Sequence, residues 1–431
     1  MAAPRVEIRE ARGGYTLLRG GKPYELRGAC AWDFLELLRS CGGNSIRTWG
    51  AKDDPLLYEK AHALGLTVCA GLWLTHDYGG GFYNDPMRVG EEANRLLAHV
   101  RKYRSHPAIL FWAVGNETEI ISREKSDYNP NLYRAVENLA KRVKEADPNH
   151  PVIAAVGEVT GTKVRLLKEH CPSLDALGVN SYGGLASLPD RLRQHGWTKP
   201  YVVTEFGASG WELWDSPTTS WGALIEPDST RAAWDYLVGY RSAVAHQRSW
   251  CLGSYAYLWG VHNQFAYSNT WYHMFLRTGE RLAAVQTMQL AWTGKLPATL
   301  APEIVHWESS VGLKEVAPGS EHKALVAVRH PSKVPYGVRW EIEEGMDRPT
   351  RQEQWPRKVT DFITRVEDDR LTLREVAHGS LRTNVGMTRI AFTAPRRAGP
   401  YRLYVYVVDE AGCAAAGNVP FSVARGRGVS R

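Results

Sequence analysis

The sequence predicts an α/β chain: a (β/α)8 TIM barrel followed by a smaller antiparallel β-sandwich of immunoglobulin-like type. Three observations carry that prediction. Eight short, almost continuously apolar runs alternate with amphipathic stretches over the segment 25–259. Apolar character on every position marks strands buried on both faces, as parallel strands under helices are. Beyond about residue 300 the apolar residues instead alternate with polar ones between Gly and Pro breaks, the pattern of half-buried antiparallel strands.

The eight runs are ELRGA (25–29), NSIRTW (44–49), LTVCAGLWL (66–74), AILFWAVGNE (108–117), PVIAAVG (151–157), LDALGVNSY (174–182), PYVVTEFG (200–207) and CLGSYAYLW (251–259). Helical spacing fills the gaps in DPLLYEKAHALG (54–65), VGEEANRLLAHVRKY (89–103) and NLYRAVENLAKRVKEAD (131–147). In the last of these Leu132, Val136, Leu139, Ala140 and Val143 recur on one face. A doubly wound open sheet is the alternative fold. No GxGxxG turn follows the first strand, which argues against a dinucleotide-binding version. Ahead of the barrel, YTLLRGGKPYEL (15–26) reads as a hairpin turning at Gly20-Gly21 and covering the barrel's N-terminal end. WTGKLPATLAP (292–302) is punctuated by proline and reads as a linker. KALVAVRH, GVRWEIEE, TRIAFTAP and YRLYVYVVD are the sandwich strands. The expected domains are a capping hairpin over 1–25, a barrel over 26–295, a linker over 296–302, a sandwich over 303–425 and a tail over 426–431.

Composition excludes several classes. Charged residues are 23% and hydrophobic ones 44% of the 431 residues, ordinary for a soluble globular chain. No window approaches the run of about 18 apolar residues of a membrane span, so no membrane partner is expected. The net charge of +7 is spread along the chain, without a dense basic block or zinc-finger spacing, so nucleic acid is not the expected partner. The six cysteines form no CxxC pair, and neither a metal site nor a disulfide framework is implied. MAAPRVEIRE has no apolar leader, which reads as cytoplasmic; an export leader already removed would leave the same N-terminus on a secreted or periplasmic protein. Oligomeric state is not legible.

In a (β/α)8 barrel the C-terminal strand ends form the active face. Those ends carry Arg47 and Trp49 on the second run, Trp73 and His76 on the third, Asn116 and Glu117 on the fourth, Glu158 on the fifth, Asn180 and Tyr182 on the sixth, Glu205 on the seventh, and Tyr257 and Trp259 on the eighth. Two carboxylates across one barrel mouth are the minimum machinery for cleaving a glycosidic bond. Glu117 ends an apolar strand, and desolvation there would raise its pKa and suit it to donate a proton. Glu205 has to stay ionised to attack an anomeric carbon, and a nearby Arg47 would favour its charge. Tyr182 is placed to fix the Glu205 rotamer and Asn116 to hold a sugar hydroxyl. Trp73 and Trp259 read as core aromatics or as sugar-stacking faces, with Trp259 the stronger stacking candidate. His76 reads as a solvated loop residue or a ligand. Glu119 and Glu158 are rival acids, and Glu158 is the better binding residue. The long segment after the seventh run, 207–228, places Trp211, Trp214 and Trp221 as cleft walls or packing groups, and His262 joins Tyr257 as a cleft candidate after the eighth.

GNSIRTW, GNE and VTEFG, in that order on strands two, four and seven, resemble the clan of retaining (β/α)8 glycoside hydrolases with two catalytic Glu. The set is similar to the catalytic barrel of glycoside hydrolase family 2, with some similarity to β-1,3-glucanosyltransferases, over roughly residues 15–295. The resemblance implies an acid/base at Glu117, a sugar-hydroxyl ligand at Asn116 and a nucleophile at Glu205, with Arg47, Tyr182 and Trp259 close to the nucleophile and sugar ring. It implies an oligo- or polysaccharide substrate, foremost a β-glucan, and no cofactor or metal. A transglycosylase with the same two Glu is the near alternative, and a non-catalytic carbohydrate-binding protein the distant one. The sandwich following the barrel, with no jelly roll recognised before it, departs from the usual family 2 arrangement.

Overall fold

The structure is a computed structural model that describes residues 3–11, 13–50, 55–77, 81–119, 128–208, 217–261, 274–344, 375–383 and 386–425. Eight parallel strands close into a barrel in sequence order: β1 (Leu26–Ala31), β2 (Ser45–Arg47), β3 (Thr67–Leu72), β4 (Ile109–Val114), β5 (Val152–Val156), β6 (Ala176–Asn180), β7 (Tyr201–Phe206) and β8 (Cys251–Trp259). Each falls within or overlaps one of the eight predicted runs. Strands β3 to β8 are buried at every position, so their side chains are covered on both faces. A continuous apolar run is the sequence that such a strand requires.

A helix follows each strand: α1 (Leu35–Ser40), α2 (Pro55–Ala63), α3 (Pro86–Tyr103), α4 (Pro130–Ala146), α5 (Gly161–His170), α6 (Leu188–Gln194), α7 (Ser229–Ala243) and α8 (Ala283–Thr293). The N-termini of α3 and α4 use one device. Asp85 accepts from the Met87 and Arg88 amides and Asn129 from the Asn131 amide, each just before a proline in the first turn. The predicted face of α4, Leu132, Val136, Leu139, Ala140 and Val143, is the face it buries.

Three short strands, Val6–Ala11, Gly14–Arg19 and Lys22–Pro23, form an antiparallel sheet ahead of the barrel. The last two make the predicted hairpin; the first was not among the predicted strands. Val6 N donates to Asn149 O, Arg19 Nη2 to Pro107 O and the Tyr24 hydroxyl to Asn44 O, each at 2.8 Å. Those carbonyls lie just before β5, β4 and β2, so the sheet covers the N-terminal end of the barrel and leaves the opposite end for chemistry.

The chain divides into two compact units. The first holds 1–207, 237–259 and 291–293; the second holds 208–236, 260–290 and 294–431. This differs from an unbroken barrel domain over 26–295. The cause is polar: segments following β7 and β8 are tied to strands of the second unit. Those strands are β9 (Glu303–Ser309), β10 (Glu315–Val316), β11 (Glu321–Arg329), β12 (Tyr336–Glu344), β13 (Glu375–Thr383), β14 (Met387–Thr393), β15 (Gly399–Asp409) and β16 (Ala414–Val423). Buried Arg402 donates to Leu224 O at 2.8 Å and to Asn418 at 2.5 Å, and pairs with Glu226 at 3.1 Å. Ala414 N donates to Arg281 O at 2.8 Å and Arg281 N to Gly412 O at 3.0 Å, and Leu276 and Leu282 pack with Tyr404 and Tyr406.

The eight strands form two sheets, ordered β9-β11-β14 and β10-β16-β15-β12-β13. Val326, Val328, Ile390 and Phe392 of the first sheet share one core with Val338, Ile342, Leu403, Val405 and Phe421 of the second. Two antiparallel-based sheets over one core make the predicted sandwich. Alternation is clearest in β14, where every second residue is buried. Among the described residues no helix is long and apolar enough to cross a membrane.

The barrel depends on close backbone approach between β2 and β3. A Cβ on Gly71 would stand 2.3 Å from the Trp49 carbonyl carbon and 2.5 Å from Thr48 O, both backbone atoms that cannot step aside. Gly71→Ala is expected to destabilise the fold by about 1–3 kcal/mol. Urea denaturation checks this, and an unchanged midpoint would contradict it.

Candidate active site

The turn leaving β4 places the first carboxylate. Gly115 adopts φ +69°, where a Cβ would meet Thr118 Oγ1 at 2.5 Å, and its amide donates to Leu72 O at 2.8 Å. Glu117 then takes a left-handed φ of +47°, with its amide bonded to Ala155 O at 2.9 Å. A non-glycine residue held there costs about 1–3 kcal/mol, and such costs concentrate at functional sites.

The second carboxylate sits near the end of β7 and is almost fully buried. Arg47 Nη1 approaches Glu205 Oε1 at 2.5 Å, Trp49 Nε1 donates to the same oxygen at 2.7 Å, and the Tyr182 hydroxyl donates to Oε2 at 2.9 Å. Three donors, one of them cationic, thus meet its two oxygens. Arg47 itself is 1% exposed. Burial works against its charge, but Glu205 outweighs that and its pKa is raised.

Glu117 meets the opposite environment. Burial, then the charge of Glu205, pushes its carboxyl up to about 8 against the opposing hydrogen bond from Asn180. Asn180 Nδ2 lies 2.6 Å from Glu117 Oε1 and 3.1 Å from Asn116 Oδ1, while Asn180 Oδ1 accepts from Thr204 at 2.7 Å. Arg47 Nη2 donates to Asn116 Oδ1 at 2.7 Å. A hydrogen-bonded path therefore runs Glu205–Arg47–Asn116–Asn180–Glu117 through four strand ends. Asn116 Oδ1 already accepts twice, which turns its Nδ2 outward as the donor a sugar hydroxyl would meet.

The remaining sequence candidates divide. His76 Nε2 lies 3.0 Å from the Asn116 carbonyl, with its pKa lowered by burial, and so it buttresses the Glu117 turn. Trp73 packs edge-on to His76 with its ring centroid 4.9 Å away and is 37% exposed, as a stacking face has to be. Tyr257 stands edge-on between Trp49 and Tyr182, 5.9 Å from each.

Trp259 requires a correction. It is fully buried, its indole donates to Phe34 O at 3.2 Å, and it packs on Trp292, so it presents no stacking face. The register of β8 against β1 shifts between Ala256 and Trp259, which takes Trp259 off the face that simple alternation from Tyr257 would give it. Glu158 is partnered. Arg191 at 2.7 Å and Ser181 at 2.5 Å each bond one of its carboxylate oxygens, so any binding role would be shared with these partners. The other rival, Glu119, is buried against Lys163. Trp211, Trp214 and His262 lie outside the described residues.

Sequence reasoning listed Trp49 as a substrate residue and missed its bond to Glu205. The signal was available: Trp49 is two residues beyond Arg47, on the same face if the strand alternation continues. Trp32, at the exit of β1 and edge-on to Trp49 at 5.6 Å, was missed entirely. Among the described residues no group of three His, Cys, Asp or Glu side chains is placed to hold a metal ion.

Two outcomes follow from this electrostatics. Arg47→Met leaves a buried, unpaired carboxylate and is expected to cost about 3–5 kcal/mol of stability in urea denaturation; adding Glu205→Gln should recover much of that loss. Glu117 has a folded pKa near 8 against an ordinary 4.5. The folded state thus holds its proton more tightly, and stability is lost as pH rises from about 4.5 through 8. Glu117→Gln should gain stability relative to the native chain across that window and no further above it, as read from melting temperature against pH.

Comparison with known proteins agrees with this geometry. Residues 28–213 match the family model described as glycosyl hydrolases family 2, TIM barrel domain. A β-galactosidase of Vibrio cholerae is 28% identical over 124 residues, 27% of this chain and 11% of that protein. A β-mannosidase of Mus musculus is 23% identical over 209 residues, 45% of this chain and 22% of that protein. Among solved structures, Bacteroides uniformis β-glucuronidase 2 superposes with a TM-score of 0.51 at 15% identity, over 97% of this chain and 48% of that one. The chain thus spans less than half the length of these relatives. Residues 28–213 are thus similar in sequence to the TIM barrel domain of glycosyl hydrolases family 2, and the fold likeness extends to a solved β-glucuronidase.

Proposed function

We propose that the protein is a retaining β-glycosidase working by double displacement. One observation carries the reading: two carboxylates share one hydrogen-bonded network, Glu205 against the Arg47 guanidinium and Glu117 pushed up to about 8 by burial and the charge of Glu205. Glu205, oriented by Arg47, Trp49 and Tyr182, attacks the anomeric carbon. Glu117 gives its proton to the departing glycosidic oxygen. The covalent glycosyl-enzyme is then opened by water, from which Glu117 takes a proton back. Asn116 Nδ2 contacts a hydroxyl beside the reacting carbon, and Trp73 supplies an aromatic surface.

The substrate is a β-linked oligo- or polysaccharide. The choice of β-glucan rests on the motif set's similarity to β-1,3-glucanosyltransferases. The names of the relatives favour including β-galactosides, β-mannosides and β-glucuronides in the same trial. Transfer to a sugar acceptor uses the same covalent step, and adding acceptors to the assay separates it from hydrolysis.

The first sugar product should have the β configuration in proton NMR taken before mutarotation; an α product would overturn retention. Glu117→Gln is expected to lower kcat by about 10²–10⁴ on substrates with poor leaving groups. The native kcat/KM should fall above about pH 8, where Glu117 loses its proton. Loss of that alkaline limb in Glu117→Gln checks the assignment, and full activity in the variant would contradict it.

A further inference from the structure

Behind Glu117 lies a second buried ion pair that the displacement chemistry does not use. Lys163, in the first turn of α5, places Nζ 3.1 Å from Glu119 Oε1 and donates to Glu158 O at 3.0 Å. Glu119 Oε1 also accepts from the Gly157 amide at 3.0 Å. The two side chains are 8% and 4% exposed. A methyl group built on Gly157 would stand 3.6 Å from Glu117 Cδ and 3.6 Å from Lys163 Nζ, so no side chain of residue 157 separates acid from ammonium.

Stability alone does not account for such a pair. A buried ion pair recovers little more than its own desolvation cost, and apolar groups of the same shape commonly serve as well. What the pair does that apolar groups cannot is place two opposite charges beside Glu117. We propose that Glu119 and Lys163 are positioning residues that clamp the Glu117 turn onto the end of β5 and set the field in which Glu117 holds its proton. This rests on the reading of Glu117 as the general acid.

The two charges act in opposite senses: Glu119 raises the Glu117 pKa and Lys163 lowers it. Losing one therefore leaves the other unopposed. Among the described residues, the other charged or titratable neighbours are Glu205 and Arg47 across the cleft, His76 and Asp77 after β3, Tyr83 and Tyr133 by Glu119, Tyr128 by Lys163, and Glu158 with its partner Arg191. None of these is altered in the variants below.

The test is a charge cycle. Glu119→Gln leaves Lys163 unopposed and should move the alkaline limb of kcat/KM down by about one pH unit. The double variant Glu119→Gln/Lys163→Met removes both charges and should return the limb to its native position. A limb that stays put or rises in the single variant, or a double variant that keeps the single variant's shift, would overturn the proposal. The same cycle is read without turnover by titrating the Glu117 carboxyl in ¹³C NMR, its resonance assigned with Glu117→Gln. If no glycoside is cleaved but the titration shifts as stated, the general-acid reading fails and the pair's effect on Glu117 stands. If the native protein is active and the titration does not move, the inference fails.

Discussion

The buried contact between Arg47 and Glu205 is the constraint on which the site depends. Two opposite charges inside a closed barrel are tolerated only if each is answered by donors and acceptors of good geometry. The chain meets that demand with Trp49 and Tyr182 on Glu205 and with Asn116 on Arg47. Because these groups come from the ends of β2, β4, β6 and β7 or the turns just beyond, satisfying one ion pair fixes the relative placement of half the barrel mouth. Loosening any of these strands would leave a charge uncovered, so the geometry is over-determined.

Glu117 is the counterpart, its pKa raised by burial and by the charge of Glu205. Its left-handed backbone and its reluctance to ionise both cost stability, and the structure offsets them with hydrogen bonds from Asn180 and the turn amides. The charge on Glu205 is itself one reason Glu117 keeps its proton. On the proposed reading, nucleophile and acid belong to one electrostatic arrangement, in which the charge of the first destabilises the ionised form of the second. In a double displacement both states are required at once, and when the covalent bond consumes the charge of Glu205 the pressure on Glu117 relaxes, so it can act as base in the second half.

Much of this was legible in the sequence, for physical reasons. Strands buried on both faces leave uninterrupted apolar runs, so all eight staves could be placed, and a polar residue closing such a run stands out, as Asn116-Glu117 and Glu205 do. Tyr182 on Glu205 followed from its place at the neighbouring strand end. The errors have physical causes too. Trp259 was assigned to the cleft by alternation, which a register shift in β8 defeats. Glu158 was read from its strand end, and its partner Arg191 from α6 left no local signal. Alternation beyond a strand's hydrogen-bonded end would have given Trp49 its bond to Glu205. Grouping of the segments after β7 and β8 with the sandwich depends on Arg402 and Arg281, whose partners are distant in sequence and leave no local pattern.

The central claim is that Glu205 is the nucleophile of a covalent intermediate. An activated β-glycoside bearing fluorine at C2 slows breakdown of that intermediate enough for it to be isolated. Peptide mass spectrometry after such treatment should find one sugar attached, on Glu205. Attachment to Glu117, Glu119 or Glu158 instead, or rapid turnover of good substrates with no adduct ever formed, would contradict the account.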